Sequence, residues 1–152
     1  MIGWYEISGI ILATFLGAVI GLEREFSGKA AGLRTNILIC LGAAVFTIIS
    51  RAMVNPANES VSRIAAQIVT GVGFLGAGAI IQDRGGVHGL TTAATIWLVA
   101  SIGTACGAGF FLLAVITAVI TIIVLIGLAK LAEPLDAYRD KRKQEKSETQ
   151  NN

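Results

Sequence analysis

The side chains best able to do chemistry in this 152-residue sequence are charged and hydroxyl groups at the ends of long apolar runs. Carboxylates with hydroxyls and loop carbonyls suit a hard cation such as Mg²⁺, and Glu23 and Asp83 are the candidate ligands. The alternative is that these charges merely pair, for example Glu23 or Asp83 with Arg34. We call the whole set the end cluster: Glu23, Arg24, Glu25, Arg34, Thr35, Asp83, Thr91 and Thr92.

The sequence offers no arrangement of residues typical of an enzyme. Its single histidine, His88, has no obvious nucleophile or acid beside it, so we predict no catalytic residues and no certain cofactor, with Mg²⁺ the one possibility. Cys40 and Cys106 are expected in opposite halves of a bilayer, too far apart for a disulfide. A net charge of +2 and 7% aromatic residues give no basis for nucleic-acid binding.

The composition predicts an integral membrane protein. The chain is 54% hydrophobic and only 14% charged, whereas soluble domains carry about 25% charged residues. A helix needs roughly 20 residues to cross the hydrocarbon core. The apolar runs predict an all-α bundle of five transmembrane helices in a domain over 1–132, followed by a charged, partly disordered tail over 133–152. The predicted spans are 2–22, 33–50, 64–81, 90–108 and 110–131.

The distribution of basic residues predicts the orientation of the bundle. Of the 12 Lys and Arg residues, only Arg51 and Arg63 fall in the connection between the second and third spans. The others lie in the remaining connections, in the tail or at the span ends that border them, on the opposite side. Because cytoplasmic segments carry the excess of Lys and Arg, the N-terminus is expected outside and the C-terminus in the cytoplasm. The end cluster then lies on the cytoplasmic face.

A glycine pattern in the third span imitates a nucleotide-binding loop. Gly71, Gly73 and Gly76 match G-x-G-x-x-G, but the fingerprint requires a preceding strand and an acid about 20 residues later, and here the run is apolar. Close helix packing through small residues explains such glycines better, with a broken helix offering backbone carbonyls as the alternative. The predicted packing glycines are Gly17, Gly21, Gly71, Gly73, Gly76, Gly78, Gly103 and Gly107, with spans one, three and four as the inner set.

Three further residues are predicted to make polar contacts between helices. Arg63 and Gln67 are four apart and share a helix face, and Trp97 lies within the fourth span. Gln67 is expected about one turn inside the third span. A polar residue at that depth is expected to face the bundle and bond another helix.

Several short motifs resemble the MgtC/SapB family of bacterial membrane proteins. They occur in order over roughly residues 17–109, and they are Gly21-Leu-Glu-Arg24, Ala31-Gly-Leu-Arg-Thr-Asn36, Arg63-Ile-Ala-Ala-Gln67, Gly73-Phe-Leu-Gly-Ala-Gly78 and Gly89-Leu-Thr-Thr-Ala-Ala94 with Trp97. The resemblance implies an inner-membrane protein linked to growth in low magnesium and, in pathogens, to survival inside macrophages.

The resemblance also implies a class of function. The founding branch of the family resembles a regulator that restrains the proton-driven ATP synthase more than it resembles a magnesium pump. This leaves two hypotheses: a membrane regulator of a partner complex, or a Mg²⁺-binding or Mg²⁺-transporting protein that uses the end cluster. Either is compatible with a homodimer in the bilayer. Longer members carry a soluble C-terminal domain that is not expected here, so functions that need it are not transferred.

The predicted orientation can be tested by labelling. In a chain with Cys40 and Cys106 replaced by alanine, Arg139→Cys should be protected from a membrane-impermeant maleimide in intact cells and should react in inverted vesicles, because the basic tail is retained in the cytoplasm. Labelling of this position in intact cells would contradict the argument from charge.

Overall fold

The computed structural model describes residues 3–53, 61–83 and 86–128. In these residues the chain forms five helices and one short β-hairpin. The elements are α1 (Trp4–Phe26), α2 (Leu33–Ala52), α3 (Val61–Gly78), β1 (Ile81–Asp83), β2 (Gly86–His88), α4 (Leu90–Ala108) and α5 (Phe111–Leu128). The predicted tail over 133–152 lies outside the described residues.

The helices confirm the predicted all-α membrane bundle. Helices α1, α2, α4 and α5 are each long and apolar enough to cross a bilayer, and the apolar part of α3 covers Ala66–Gly78. Two compact units divide the chain, residues 1–118 and 119–152. Helices α1 to α4, the hairpin and the start of α5 belong to the first unit, which carries every feature discussed below.

The third helix ends earlier than the apolar run predicts. The span was expected to reach residue 81, but α3 stops at Gly78, where Ala79 and Ile80 donate backbone hydrogen bonds to Gly76 and Ala77. These bonds tighten the last turn and stop the helix. Up to that point α3 is an uninterrupted helix, so the broken-helix alternative over 70–79 is wrong.

A small antiparallel hairpin, absent from the sequence prediction, connects α3 to α4. Ile81 pairs with His88, Gln82 with Val87 and Asp83 with Gly86. Gly86 has a φ of 133°, which favours glycine, and both strands are exposed. Strands of three residues are too short for an alternating pattern to stand out from the apolar sequence around them.

Helices α2 and α4 form the centre of the first unit. Both pack against α1 and α3 as well as against each other. A Cβ added at Gly103 would overlap the carbonyl oxygen of Cys40, and one at Gly107 would overlap that of Ala44. Glycine therefore lets the two helix backbones meet directly, as small residues do in membrane bundles. The expected inner set of spans one, three and four is corrected, because α2 occupies the place predicted for α3.

Glycines of α1 make a second close contact with α2. A Cβ at Gly17 would lie 2.9 Å from the Cβ of Cys40, and one at Gly21 would lie 2.8 Å from the Cα of Leu33. Cys40 and Cys106 are buried free thiols. Because Cys40 contacts Gly103, only three residues from Cys106, the two cysteines lie closer in depth than the sequence argument predicted.

The glycines of α3 do not follow the predicted packing. A Cβ at Gly76 would lie 3.6 Å from the carbonyl oxygen of Ala93 in α4, an ordinary contact. At Gly71, Gly73 and Gly78 a Cβ would meet no atom of the described chain within 4 Å. The prediction that these three glycines pack inside the bundle is therefore wrong, since they lie on surfaces that the described residues leave open.

Two glycine substitutions of identical chemistry should separate packed from open positions. Gly103→Ala should destabilise the protein by about 1–3 kcal/mol, because the new methyl group pushes α4 away from α2. Gly73→Ala should be neutral or stabilise by up to about 1 kcal/mol, because alanine favours helix and the space is empty. Thermal unfolding in detergent, followed by circular dichroism, measures both, and equal effects would contradict the packing.

Candidate functional site at the Arg24 end of the bundle

The order of helix contacts brings four helix termini to one end of the first unit. Gly103 and Gly107 of α4 contact Cys40 and Ala44 of α2, so these helices run parallel. Gly17 of α1 contacts Cys40, whereas Gly21 contacts Leu33, so α1 is antiparallel to α2. The end of α1 therefore lies with the starts of α2 and α4, and the hairpin holds the end of α3 there. We call this the Arg24 end.

Arg24 is the most unusual residue at this end. It is only 3% exposed, although it carries a charge, because it follows Gly17 and Gly21 on the α1 face that packs against α2. Its Nη1 lies 3.4 Å from Oε2 of Glu23. Its Nε and Nη2 are buried and have no hydrogen-bond partner in the described residues. A buried guanidinium with two unpaired donor atoms is energetically expensive, which makes Arg24 the leading functional candidate.

Glu25 has a structural role at the start of α2. The N-cap residue, Gly32, has no side chain to bond the free backbone N–H groups of the first turn. Oε2 of Glu25 accepts a hydrogen bond of 2.9 Å from the N–H of Leu33 instead. A negative charge is favourable at a helix N-terminus, so the end of α1 caps α2. Glu25 thereby fixes the connection between the two helices.

Asn36 belongs to the site although it was not among the predicted site residues. It is fully buried, and its Nδ2 donates hydrogen bonds to the carbonyl oxygens of Ala31 (2.7 Å) and Gly32 (2.8 Å). Its Oδ1 is buried without a partner in the described residues. The Cβ of Asn36 lies 3.2 Å from the Cβ position of Gly21, one turn from Arg24. An amide inside an apolar run was the signal that could have identified it.

Helix α4 contributes buried hydroxyls at its start. Thr92 and Thr95 are 6% and 3% exposed, and the hydroxyl of Thr95 donates to the carbonyl of Thr91 at 2.8 Å. The turn before α4 depends on Gly89, whose φ is 86° and whose Cβ position is taken by the carbonyl of Ala79. Of the other predicted site residues here, Arg34, Thr35 and Thr91 are exposed.

The carboxylates of the end cluster are engaged separately. Glu23 contacts Arg24 and accepts a 2.8 Å hydrogen bond from Ser27, so the expected pairing of Glu23 with Arg34 is wrong. Asp83 lies on the exposed hairpin, 3.5 Å from Nε2 of His88. Within residues 3–53, 61–83 and 86–128, no group of three or more Asp, Glu, His or Cys residues could hold a metal ion. Metal binding by Glu23 and Asp83 stays a prediction.

The predicted polar contact of Gln67 with another helix is not made inside the described chain. Gln67 is exposed and lines a groove between α2 and α3, and Trp97 is 50% exposed beside a second groove between α3 and α4. The side chain of Arg63 lies outside the described residues. The expectation that Gln67 faces the bundle is therefore wrong.

The opposite end of the unit is held by side chains that bond the end of α4. Nη1 of Arg51 donates to the carbonyl of Gly107 at 3.1 Å, and the hydroxyl of Tyr5 donates to that of Gly109 at 3.0 Å. A cation and a hydroxyl thus occupy the negative end of the α4 dipole. Arg51 therefore has a structural role at the end of α4. Arg24 has no comparable role among the described contacts, so its burial needs another reason.

The MgtC family model matches residues 10–133 of the chain. "Protein MgtC" of Salmonella typhimurium is 45% identical over 141 residues, which cover 90% of this chain and 60% of that protein. "Protein MgtC" of Brucella abortus is 45% identical over 124 residues, which cover 82% of this chain and 51% of that protein. The chain thus spans between half and two thirds of these relatives. No solved structure matches it.

Two substitutions in the buried ion pair should have opposite effects on folding. Arg24→Met should leave stability unchanged or raise it, because an apolar side chain of similar length replaces a poorly compensated buried charge. Glu23→Gln should destabilise by about 3 kcal/mol, because Arg24 stays buried without its anionic neighbour. Unfolding in detergent measures both, with the exposed Lys29→Met as control. A large loss of stability in Arg24→Met would show that Arg24 serves the fold.

Proposed function

The chain belongs to the MgtC family, and on that premise we propose that it is a non-enzymatic regulator in the bacterial inner membrane. It acts on a partner membrane complex, such as the proton-driven ATP synthase, during adaptation to low magnesium. The observation that supports this proposal is the burial of Arg24 with two unpaired donor atoms at the end of a tightly packed bundle. Stability alone does not favour such a group, so its presence is better explained by function.

The regulatory site in this proposal is the Arg24 end, facing the cytoplasm. The positive-inside bias supports that side, since Arg24, Lys29 and Arg34 all belong to the α1–α2 connection or its borders. The exposed residues Arg34, Thr35 and Thr91 lie in the first turns of α2 and α4, at the same end of the unit as Arg24, and offer polar surface that a partner would contact. Survival of pathogens inside macrophages would follow indirectly, through control of the partner complex.

The contacts of the described residues give less support to Mg²⁺ transport. The two candidate ligands are already engaged, Glu23 with Arg24 and Ser27, and Asp83 with His88. A Mg²⁺ site needs octahedral oxygen coordination, for which a carboxylate tied to an arginine is a poor ligand. We therefore retain ion transport only as the outcome that would replace the regulatory proposal.

Proton uptake in inverted membrane vesicles tests the regulatory proposal. Expression of the chain should reduce ATP-driven proton uptake, measured by quenching of an acridine dye, relative to vesicles from the empty vector. Arg24→Met at equal abundance should restore uptake, because the buried guanidinium is lost while the fold is kept. Lys29→Met, which removes an exposed charge nearby, should behave as the unaltered chain.

Unchanged uptake at high abundance would contradict the regulatory proposal. A second measurement identifies what would replace it: purified protein in sealed liposomes loaded with a Mg²⁺ indicator. No flux is expected. Flux that Glu23→Gln and Asp83→Asn both reduce would instead support transport through the end cluster.

A further inference from the structure

One lateral surface of the first unit combines glycines that no other part of the described chain covers with large exposed side chains. Leu38, Gly42 and Phe46 of α2 are spaced by four residues, so they lie on one side of that helix. The exposed α3 residues at positions 67, 71, 74 and 78 are spaced by four, three and four, so they also share one side of their helix. Together they form what we call the α2–α3 face: Leu38, Gly42 and Phe46 of α2 with Gln67, Gly71, Phe74 and Gly78 of α3.

Between the two helices this face is hollow. A groove of about 630 Å³ runs between them, bordered by Gly42 of α2 and Gly71 of α3. A Cβ at Gly42, Gly71 or Gly78 would meet no atom of the described chain within 4 Å. The large side chains beside these glycines project outward, with Phe74 81% exposed and Leu38 66% exposed. The same surface therefore carries both notches and projections.

Gln67 makes this face unsuitable as a surface for lipid alone. It lies six residues from the start of α3, about 9 Å along the helix axis, and lines the groove. Its side chain makes no hydrogen bond within the part of the chain that the structure describes. An acyl chain offers neither donor nor acceptor, and an unpaired amide in hydrocarbon is unfavourable. The amide therefore calls for a polar partner at the same depth.

We propose that the α2–α3 face binds the same face of a second copy of this chain, forming a symmetric dimer in the membrane. A primary amide carries both a donor and an acceptor, so two Gln67 side chains related by a two-fold axis can satisfy each other. Projections such as Phe74 and notches such as Gly71 occur on one surface, as an interface between identical faces requires. Small residues let the two copies approach closely.

Another segment of the same chain does not suit the groove. The connection over 54–60 and the tail over 133–152 contain many charged and polar residues, which are unfavourable in an apolar groove at membrane depth. A different membrane protein would fit the groove but would not explain why one surface carries both halves of a complementary pair. The dimer does not depend on the regulatory proposal, because its test uses no partner complex and no transport measurement.

The dimer can be measured as a function of protein density in liposomes. Single-molecule photobleaching of fluorescently labelled protein should show two-step events that increase with the protein-to-lipid ratio. Gly71→Leu should weaken the dimer at least about tenfold, because the side chain fills the notch that the partner occupies. Gln67→Leu should weaken it about threefold, the effect of one interhelical polar contact.

The matched control is Gly73→Leu. Gly73 has the same open surroundings as Gly71 but lies on a different side of α3, so the substitution should change dimerisation less than about twofold. Circular dichroism and unfolding of both variants show that each is folded. Oxidative cross-linking gives an independent readout, in a chain with Cys40 and Cys106 replaced by alanine. Phe74→Cys should form disulfide-linked dimers, whereas Phe15→Cys, on an exposed position of α1, should not.

Three results would overturn the proposal. The first is a chain that stays monomeric at every density, with native mass spectrometry showing retained lipid, which would make lipid the occupant. The second is equal weakening by Gly71→Leu and Gly73→Leu, which would show that neither glycine marks the interface. The third is cross-linking through Phe15→Cys in preference to Phe74→Cys, which would place the interface on α1.

Discussion

The direct contact between the backbones of α2 and α4 is the constraint on which the rest of the first unit depends. Gly103 and Gly107 lie against the carbonyl oxygens of Cys40 and Ala44, where any side chain would collide. Water does not drive helices together inside a bilayer, so close packing supplies much of the attraction, and glycine maximises it. The same contact sets the two helices parallel and in register, and thereby places the start of α4 beside the end of α1.

That register gathers buried polar side chains at one end of the bundle, next to an apolar core. Arg24, Asn36, Thr92 and Thr95 are all buried there, whereas the neighbouring core consists of small and aliphatic residues. Glu25 caps α2 and Asn36 bonds the preceding loop, so the polar groups of the connection are largely satisfied. The exceptions among the described residues are Oδ1 of Asn36 and the charged Arg24, whose Nε and Nη2 both lack a partner. A rigid scaffold that keeps one charge buried and incompletely hydrogen-bonded is a reasonable basis for a site whose conformational equilibrium another molecule shifts by binding.

Helix α3 has a different relation to the bundle from the other helices of the first unit. It packs on α2 and α4 through residues such as Val72 and Gly76, but it leaves a groove on each side and three glycines uncovered. The glycines therefore serve two purposes in one chain. Those of α1 and α4 bring helices together within a copy, whereas Gly71 and Gly78 of α3 and Gly42 of α2 leave room for the second copy proposed above. Both uses rely on the absence of a side chain, and sequence spacing alone does not distinguish them.

The membrane class, the approximate positions of the helices and the polar character of one end were predictable from the sequence, although α1 continues to Phe26 and α3 runs from Val61 to Gly78 instead of over 64–81. Hydropathy reports burial in lipid directly, and the charges stand where helices leave it. Only the tertiary structure decided that α2 rather than α3 is central, that Glu23 contacts Arg24 instead of Arg34, and that Gln67 faces outward. Gly71 and Gly103 have the same chemistry and similar apolar neighbours. The two glycines differ in whether another helix packs against them. Because the helices of this bundle are apolar on every side, the hydrophobic periodicity of the sequence does not show which side packs against a neighbour.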